Sequence, residues 1–149
     1  MRILLAVDGS RFSEAAIQFV SSSFRAQDCQ MLALEVVEPA VFSTPPQMAA
    51  GYAPEMAERL EISLGESKDS VSHAVKALQT AGFKAEGRVI EADIRTGILD
   101  TALEWCADLI VLGSHGEKGF RDFFVGSVSE SIAKHAACSV LIVRAPSAA

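Results

Sequence analysis

Apolar runs alternate along the chain with segments of helical spacing. Ile3-Leu4-Leu5-Ala6-Val7 is the first run, and others follow at 31–37, 109–112 and 140–143. Short runs with little polar alternation suit strands covered on both faces, as in a parallel sheet under helices. Residues 85–91 read as a fifth, weaker strand, because Glu86 and Arg88 interrupt it.

Between the strands the spacing changes to that of helices. Phe12, Ala15, Ala16, Phe19 and Val20 share one helix face after the first strand. Met56, Leu60, Leu64, Val71, Val75 and Leu78 form a long stripe that Gly82 is placed to stop. Glu55, Glu58, Glu61, Glu66 and Asp69, against Arg59 and Lys68, make its outer side acidic. Ile98, Leu99, Ala102, Leu103 and Cys106 form the next helix, and Ile132, Ala133 and Ala136 the last, starting near Gly126. Strand and helix thus alternate as βαβ units. Right-handed crossovers then predict an α/β fold, a doubly wound five-stranded parallel sheet with four helices on its two faces.

Length and charge narrow the partners. The 149 residues suit one domain, 1–149, without staples, and half of them are hydrophobic. A net charge of −6 with no Lys/Arg run predicts no nucleic-acid partner and no anionic membrane surface. A small anion is still admissible, because a few aimed backbone N–H groups can hold one. Cys29, Cys106 and Cys138 lie among apolar residues and read as buried, reduced thiols. The first apolar run is too short for a secretory signal, and no segment approaches the 20 or so residues of a membrane span. A cytoplasmic protein is expected.

In such a sheet ligands bind beyond the carboxyl ends of the strands. The first strand ends in Asp8-Gly9-Ser10. The fourth runs into Gly113-Ser114-His115-Gly116-Glu117-Lys118-Gly119, and Gly126-Ser127-Val128-Ser129 opens the last helix. Glycines let a backbone approach a ligand closely, and a helix start presents unpaired N–H groups at its positive end. Together they outline a phosphate cradle. Lys118, Arg121 and Lys134 are balanced by Glu117, Asp122 and Glu130, which favours main-chain over side-chain recognition. A ligand-free account stands beside this one. Ser127 and Glu130 have the Ser-x-x-Glu spacing of a capping box, and the glycines could be strand and turn terminators. The proline-rich connection at 38–54 reads equally as a functional loop or a tolerated insertion. Neither a Gly-x4-Gly-Lys-Ser/Thr loop nor a Gly-x-Gly-x-x-Gly turn after the first strand occurs.

Gly113-x2-Gly116-x9-Gly126-Ser127 resembles the Gly-x2-Gly-x9-Gly-Ser/Thr signature of the ATP-binding class of universal stress proteins. The opening Ile3-Leu4-Leu5-Ala6-Val7-Asp8-Gly9-Ser10, the 107–116 stretch and the closing 138–144 stretch resemble that family too, so the likeness spans the chain. It implies a Rossmann-like sheet of strand order 3-2-1-4-5 and ATP as ligand. Asp8 would meet the ribose and a phosphate-bound Mg²⁺. Val36 would offer backbone hydrogen bonds to adenine, with Ala6 and Leu112 lining base and sugar. The backbone of Gly113, His115 and Gly116, with Gly126, Ser127, Val128 and Ser129, would wrap the phosphates. The resemblance also implies a homodimer through the C-terminal strand, where residues 140–143 otherwise leave an apolar edge.

This chain departs from the family at Glu35, where a His is common, and at Ala92-Asp93-Ile94, where Gly-Asp/Asn-Pro is frequent. Ser139 replaces a frequent Pro. Asp8 fits an Asx-turn as well as a ribose contact. Lys118 is placed either to reach a γ-phosphate or to lie in solvent. His115 has no partner in the sequence set to orient it, His73 and His135 have none at metal-ligand spacing, and Trp105 reads as packing. No catalytic constellation can be assembled, so no catalytic residue is assigned. The expected function is a cytoplasmic ATP-binding stress-response or signalling protein, acting through nucleotide-linked conformation or an unknown protein partner. The alternatives are a slow ATPase or nucleotidyl-transferring enzyme on the same fold, and a partner-binding module with a vestigial site.

Overall fold

The computed structural model describes residues 1–39, 53–116 and 125–146. Five strands and four helices alternate: β1 (Arg2–Ala6), α1 (Arg11–Ser23), β2 (Gln30–Val37), α2 (Ala53–Thr80), β3 (Lys84–Glu91), α3 (Ile94–Glu104), β4 (Leu109–Gly113), α4 (Ser127–His135) and β5 (Ser139–Val143). All pairings are parallel, in the order β3-β2-β1-β4-β5. The expected doubly wound sheet is therefore the one observed.

Two apolar layers sandwich it. Ile3, Leu5, Met31, Ala33 and Val111 pack under α1 and α2 with Ala16, Val20, Val71, Ala74 and Leu78. Leu4, Leu32, Leu34, Ile110 and Leu112 pack under α3 and α4 with Ile98, Ala102 and Ile132. Consecutive residues of each strand supply opposite layers, which is why the central strands carry almost no polar side chain.

Helix faces are where the reading needs correction. On α1 the buried set is Phe12, Ser13, Ala16, Ile17 and Val20, whereas Phe19 is 41% exposed. On α3 the buried residues are Gly97, Ile98, Thr101 and Ala102, with Leu103 67% exposed. Small residues let those helices lie close to the sheet, and this rotates the face away from the bulkier apolar side chains. Cys106 lies beyond α3 at a positive φ of 54° and is exposed, while Cys138 is half-buried and only Cys29 is buried. Ala133 is also exposed. The stripe on α2 buries only its second half, from Ser67 to Leu78, and Ile62 is 56% exposed. Pro54 sits in the first turn of α2, where its missing N–H costs nothing, so the 38–54 connection ends earlier than expected. Trp105 packs at the edge of the α3/α4 layer, as anticipated.

Candidate functional site

α1 and α2 cover one face and α3 and α4 the other, so the connections diverge between β1 and β4. β1 is also short. Its last rung to β2 is Val7 N–H to the Leu34 carbonyl at 2.9 Å. β2 runs on to Val37, paired with β3 throughout. In a parallel ladder alternate residues turn both backbone groups to the same side. Leu34 faces β1 and the Val37 carbonyl receives Ala92 N–H from the β3 side, so Val36 turns its N–H and C=O into the gap past the end of β1. Ala6, Val36 and Leu112 all belong to the α3/α4 layer. Leu112 is only 4% exposed, so it backs the gap and does not form an open wall.

Asp8 begins the turn out of β1. Its Oδ1 accepts Ser10 N–H at 3.0 Å, the Asx-turn foreseen as the structural alternative. Ser10 then caps α1 by accepting Ser13 N–H at 3.2 Å. The second carboxylate oxygen points across the gap, since a Cβ built on Gly116 would lie 3.0 Å from Asp8 Oδ2. Gly113 has a different reason to be glycine. A Cβ there would lie 2.7 Å from Phe12 Cβ and 2.8 Å from the Phe12 carbonyl, so this position is required by α1 packing on β4.

The turn after β4 closes on the start of α4. Gly126 N–H donates to the Ser114 carbonyl at 2.7 Å, and Ser114 N–H to the Val143 carbonyl at 2.8 Å. The buried Ser114 hydroxyl lies 3.1 Å from His115 Nδ1, and the His115 ring packs on Phe12 at 5.1 Å between centroids. Gly126, not Ser127, is the N-cap of α4, and it has no side chain with which to cap the helix. The capping box is therefore not formed. Ser127 lies one residue inside, and Glu130 pairs instead with Lys134 at 2.6 Å, which lowers the Glu130 pKa. The helix itself offers no acceptor to the N–H groups of Ser127, Val128 and Ser129. Residues 117–122, with Lys118 and Arg121, lie outside the described residues, as does most of the 38–54 connection.

Sequence reasoning named Ser129 among the phosphate residues but missed the bond its hydroxyl makes, and it missed Phe12 and Ser114 altogether. The Ser129 hydroxyl, buried, donates to the Gly113 carbonyl at 2.8 Å. Phe12 supplies the surface on which His115 rests, and the Ser114 hydroxyl meets the same ring at Nδ1. Of Phe12 and Ser114, only Ser114 had a signal, its place inside the glycine turn. Of the departures, Glu35 points away from the gap to accept the Ser67 hydroxyl at 2.8 Å, and Asp93 caps α3 through Thr96 N–H at 2.9 Å. That N–H holds the Asp93 carboxyl below its usual range. His73 Nε2 lies 3.0 Å from Glu14 on the α1/α2 side, and no described helix is long and apolar enough to cross a membrane.

Comparison with known proteins agrees with this architecture. The Universal stress protein family model matches residues 1–144. Universal stress protein Sll1388 of Synechocystis is 31% identical, over 96% of this chain and 97% of its own length. UspA of Lactobacillus plantarum superimposes with a TM-score of 0.82 at 26% identity, covering 97% of each chain. A family protein of Arabidopsis thaliana, solved with AMP bound, has a TM-score of 0.70 at 16% identity over 99% of this chain and 93% of its own.

Proposed function

Because the chain belongs to the universal stress protein family, we propose that it binds an adenine nucleotide, ATP in particular, over the carboxyl end of β1. One observation carries the reading: an uncapped helix start, three N–H groups without helical acceptors, stands against a glycine turn at the sheet's reversal point. The AMP held by the Arabidopsis relative supports the choice of ligand class.

In this reading the Ser127, Val128 and Ser129 amides meet the phosphates, joined by the exposed Ser127 hydroxyl and the backbone of His115 and Gly116. Gly126 shapes the turn, because its own N–H is already donated to Ser114. Gly113 brings α1 against the site. Val36 presents one donor and one acceptor to the edge of adenine, with Ala6 beside it and Leu112 behind. Asp8 faces the ribose. A Mg²⁺ on the phosphates would find the Asp8 Oδ2 side of the carboxylate. Among the described residues no group of three or more His, Cys, Asp or Glu could hold a metal, so the phosphates would carry most of that ion's shell.

The protein's output is a change of conformation or partner and not turnover. His115 Nδ1 is engaged by Ser114, and no carboxylate among its described contacts orients the ring as a base. β5 ends the sheet with Val140, Leu141 and Ile142 half-buried, which supports a homodimer pairing through that strand; a cytoplasmic location is part of the same proposal. Native mass spectrometry of the purified protein, with and without millimolar ATP, tests the ligand. A bound adenine nucleotide is expected, and a chain that stays empty at millimolar ATP overturns the reading. Sedimentation at micromolar concentration tests the dimer, and a monomer there contradicts it.

A further inference from the structure

We propose that Ser129 is a positioning residue for the phosphates of the bound nucleotide, acting through its hydroxyl; the role rests on the nucleotide reading above. The Gly113 carbonyl lies at the end of β4. Ser114 N–H is turned to β5, so the alternation of the ladder turns Gly113 to the opposite side, past Val111, the last β4 residue paired with β1. Ser129 supplies the partner that β1 does not, at 2.8 Å, in a position only 3% exposed.

This bond fixes something that packing cannot. α4 has nine residues, and Ile132, one turn after Ser129, is its fully buried apolar anchor. Apolar contact is non-directional and tolerates a small rotation or slide of so short a helix. A hydrogen bond is confined to a narrow range of distance and angle. Ser129 and Ile132 fall on one face, so together they set both the depth of α4 and the rotation of its first turn. The same turn carries the amides of residues 127–129, and the acceptor of the bond is the first residue of the glycine turn. Ser129 therefore registers one set of donors against the other. Misplacement of aimed donors weakens their joint hold on an anion, whereas the contacts at Val36 are made by another strand.

The test is calorimetric binding of ATP and of adenosine to wild type, Ser129→Ala and Ser129→Thr, with thermal melting of each. Ser129→Ala is expected to weaken ATP about tenfold, a loss of one charge-assisted interaction's worth, and to leave adenosine within about twofold. Ser129→Thr, which keeps the hydroxyl, should recover most of the ATP affinity. An equal loss for ATP and adenosine, or a lowered melting temperature with ATP binding intact, would overturn the positioning role. Should Ser129→Ala not fold, Ser129→Cys, with its weak donor, is held to the same two ratios. Wild type that binds neither removes the nucleotide reading itself, and wild type that binds adenosine and ATP alike removes the phosphate cradle; both results are distinguishable because they need no variant.

Discussion

Two helices start at the rim of the sheet on either side of its reversal, and they start in opposite ways. α1 is closed by its own sequence: Ser10 takes the Ser13 N–H, and Asp8 takes the Ser10 N–H. α4 is entered through Gly126, which has no side chain to offer to the first-turn amides. α3 behaves like α1, with Asp93 on Thr96. A helix start whose donors are spent on a cap is a structural joint. On the nucleotide reading proposed above, one that omits the cap on the crevice side is a binding surface held in reserve, since a side-chain cap is ordinarily worth about 1 kcal/mol. Helix starts are therefore better compared with each other than judged singly.

Substitutions can break that contrast. The largest expected effect is at Gly116, where valine would push its side chain onto Asp8 Oδ2 and into the crevice. Gly116→Val should reduce ATP affinity by about a hundredfold or more, some 2.7 kcal/mol, with the melting temperature nearly kept. ATP binding like that of wild type would mean the cradle is elsewhere. Next comes Gly113→Ala. Its methyl meets the Phe12 backbone, which cannot turn aside as a flexible side chain would, so a loss of about 2 kcal/mol and some 4–8 °C in thermal melting is expected. That outcome separates the first signature glycine, a packing residue, from the second.

Ser10→Ala sharpens the comparison from the other helix. It removes the α1 cap, so stability should fall by about 1 kcal/mol, or 2–4 °C, while ATP affinity is unchanged. The smallest effect concerns acid. The Thr96 N–H bond depresses the Asp93 pKa, so its contribution is present above the unfolded-state value and is lost as pH falls through the folded one. Asp93→Asn can still cap but does not titrate. Its acid unfolding curve should be shallower than that of wild type below about pH 4.

How much of this was legible depended on the kind of signal. Parallel strands announce themselves because both faces are buried, so every one of the five was placed within a residue or two. The glycine spacing likewise pointed to the turn after β4 and the start of α4. Helix faces were harder. Phe19 and Leu103 fit the apolar period, yet Ser13, Gly97 and Thr101 occupy the sheet side, because small residues permit close approach and periodicity weighs only hydrophobicity. The capping box at Ser127 and Glu130 fit the local pattern and failed by one residue, since Gly126 already accepts the Glu130 N–H at 2.9 Å. Ser129 was named for its place at the helix start, but the bond of its hydroxyl was hidden for another reason. A serine inside a helix looks solvated until tertiary structure brings an orphan carbonyl within reach.

The central claim is that the uncapped amides of α4 and the turn after β4 hold phosphate. Backbone amide NMR, titrated first with adenosine and then with ATP, tests it most directly. Adenosine is expected to move the Val36 amide, and only ATP those of Gly116, Ser127, Val128 and Ser129. Were ATP to shift Val36 while the α4 amides stayed where adenosine left them, the claim would be contradicted.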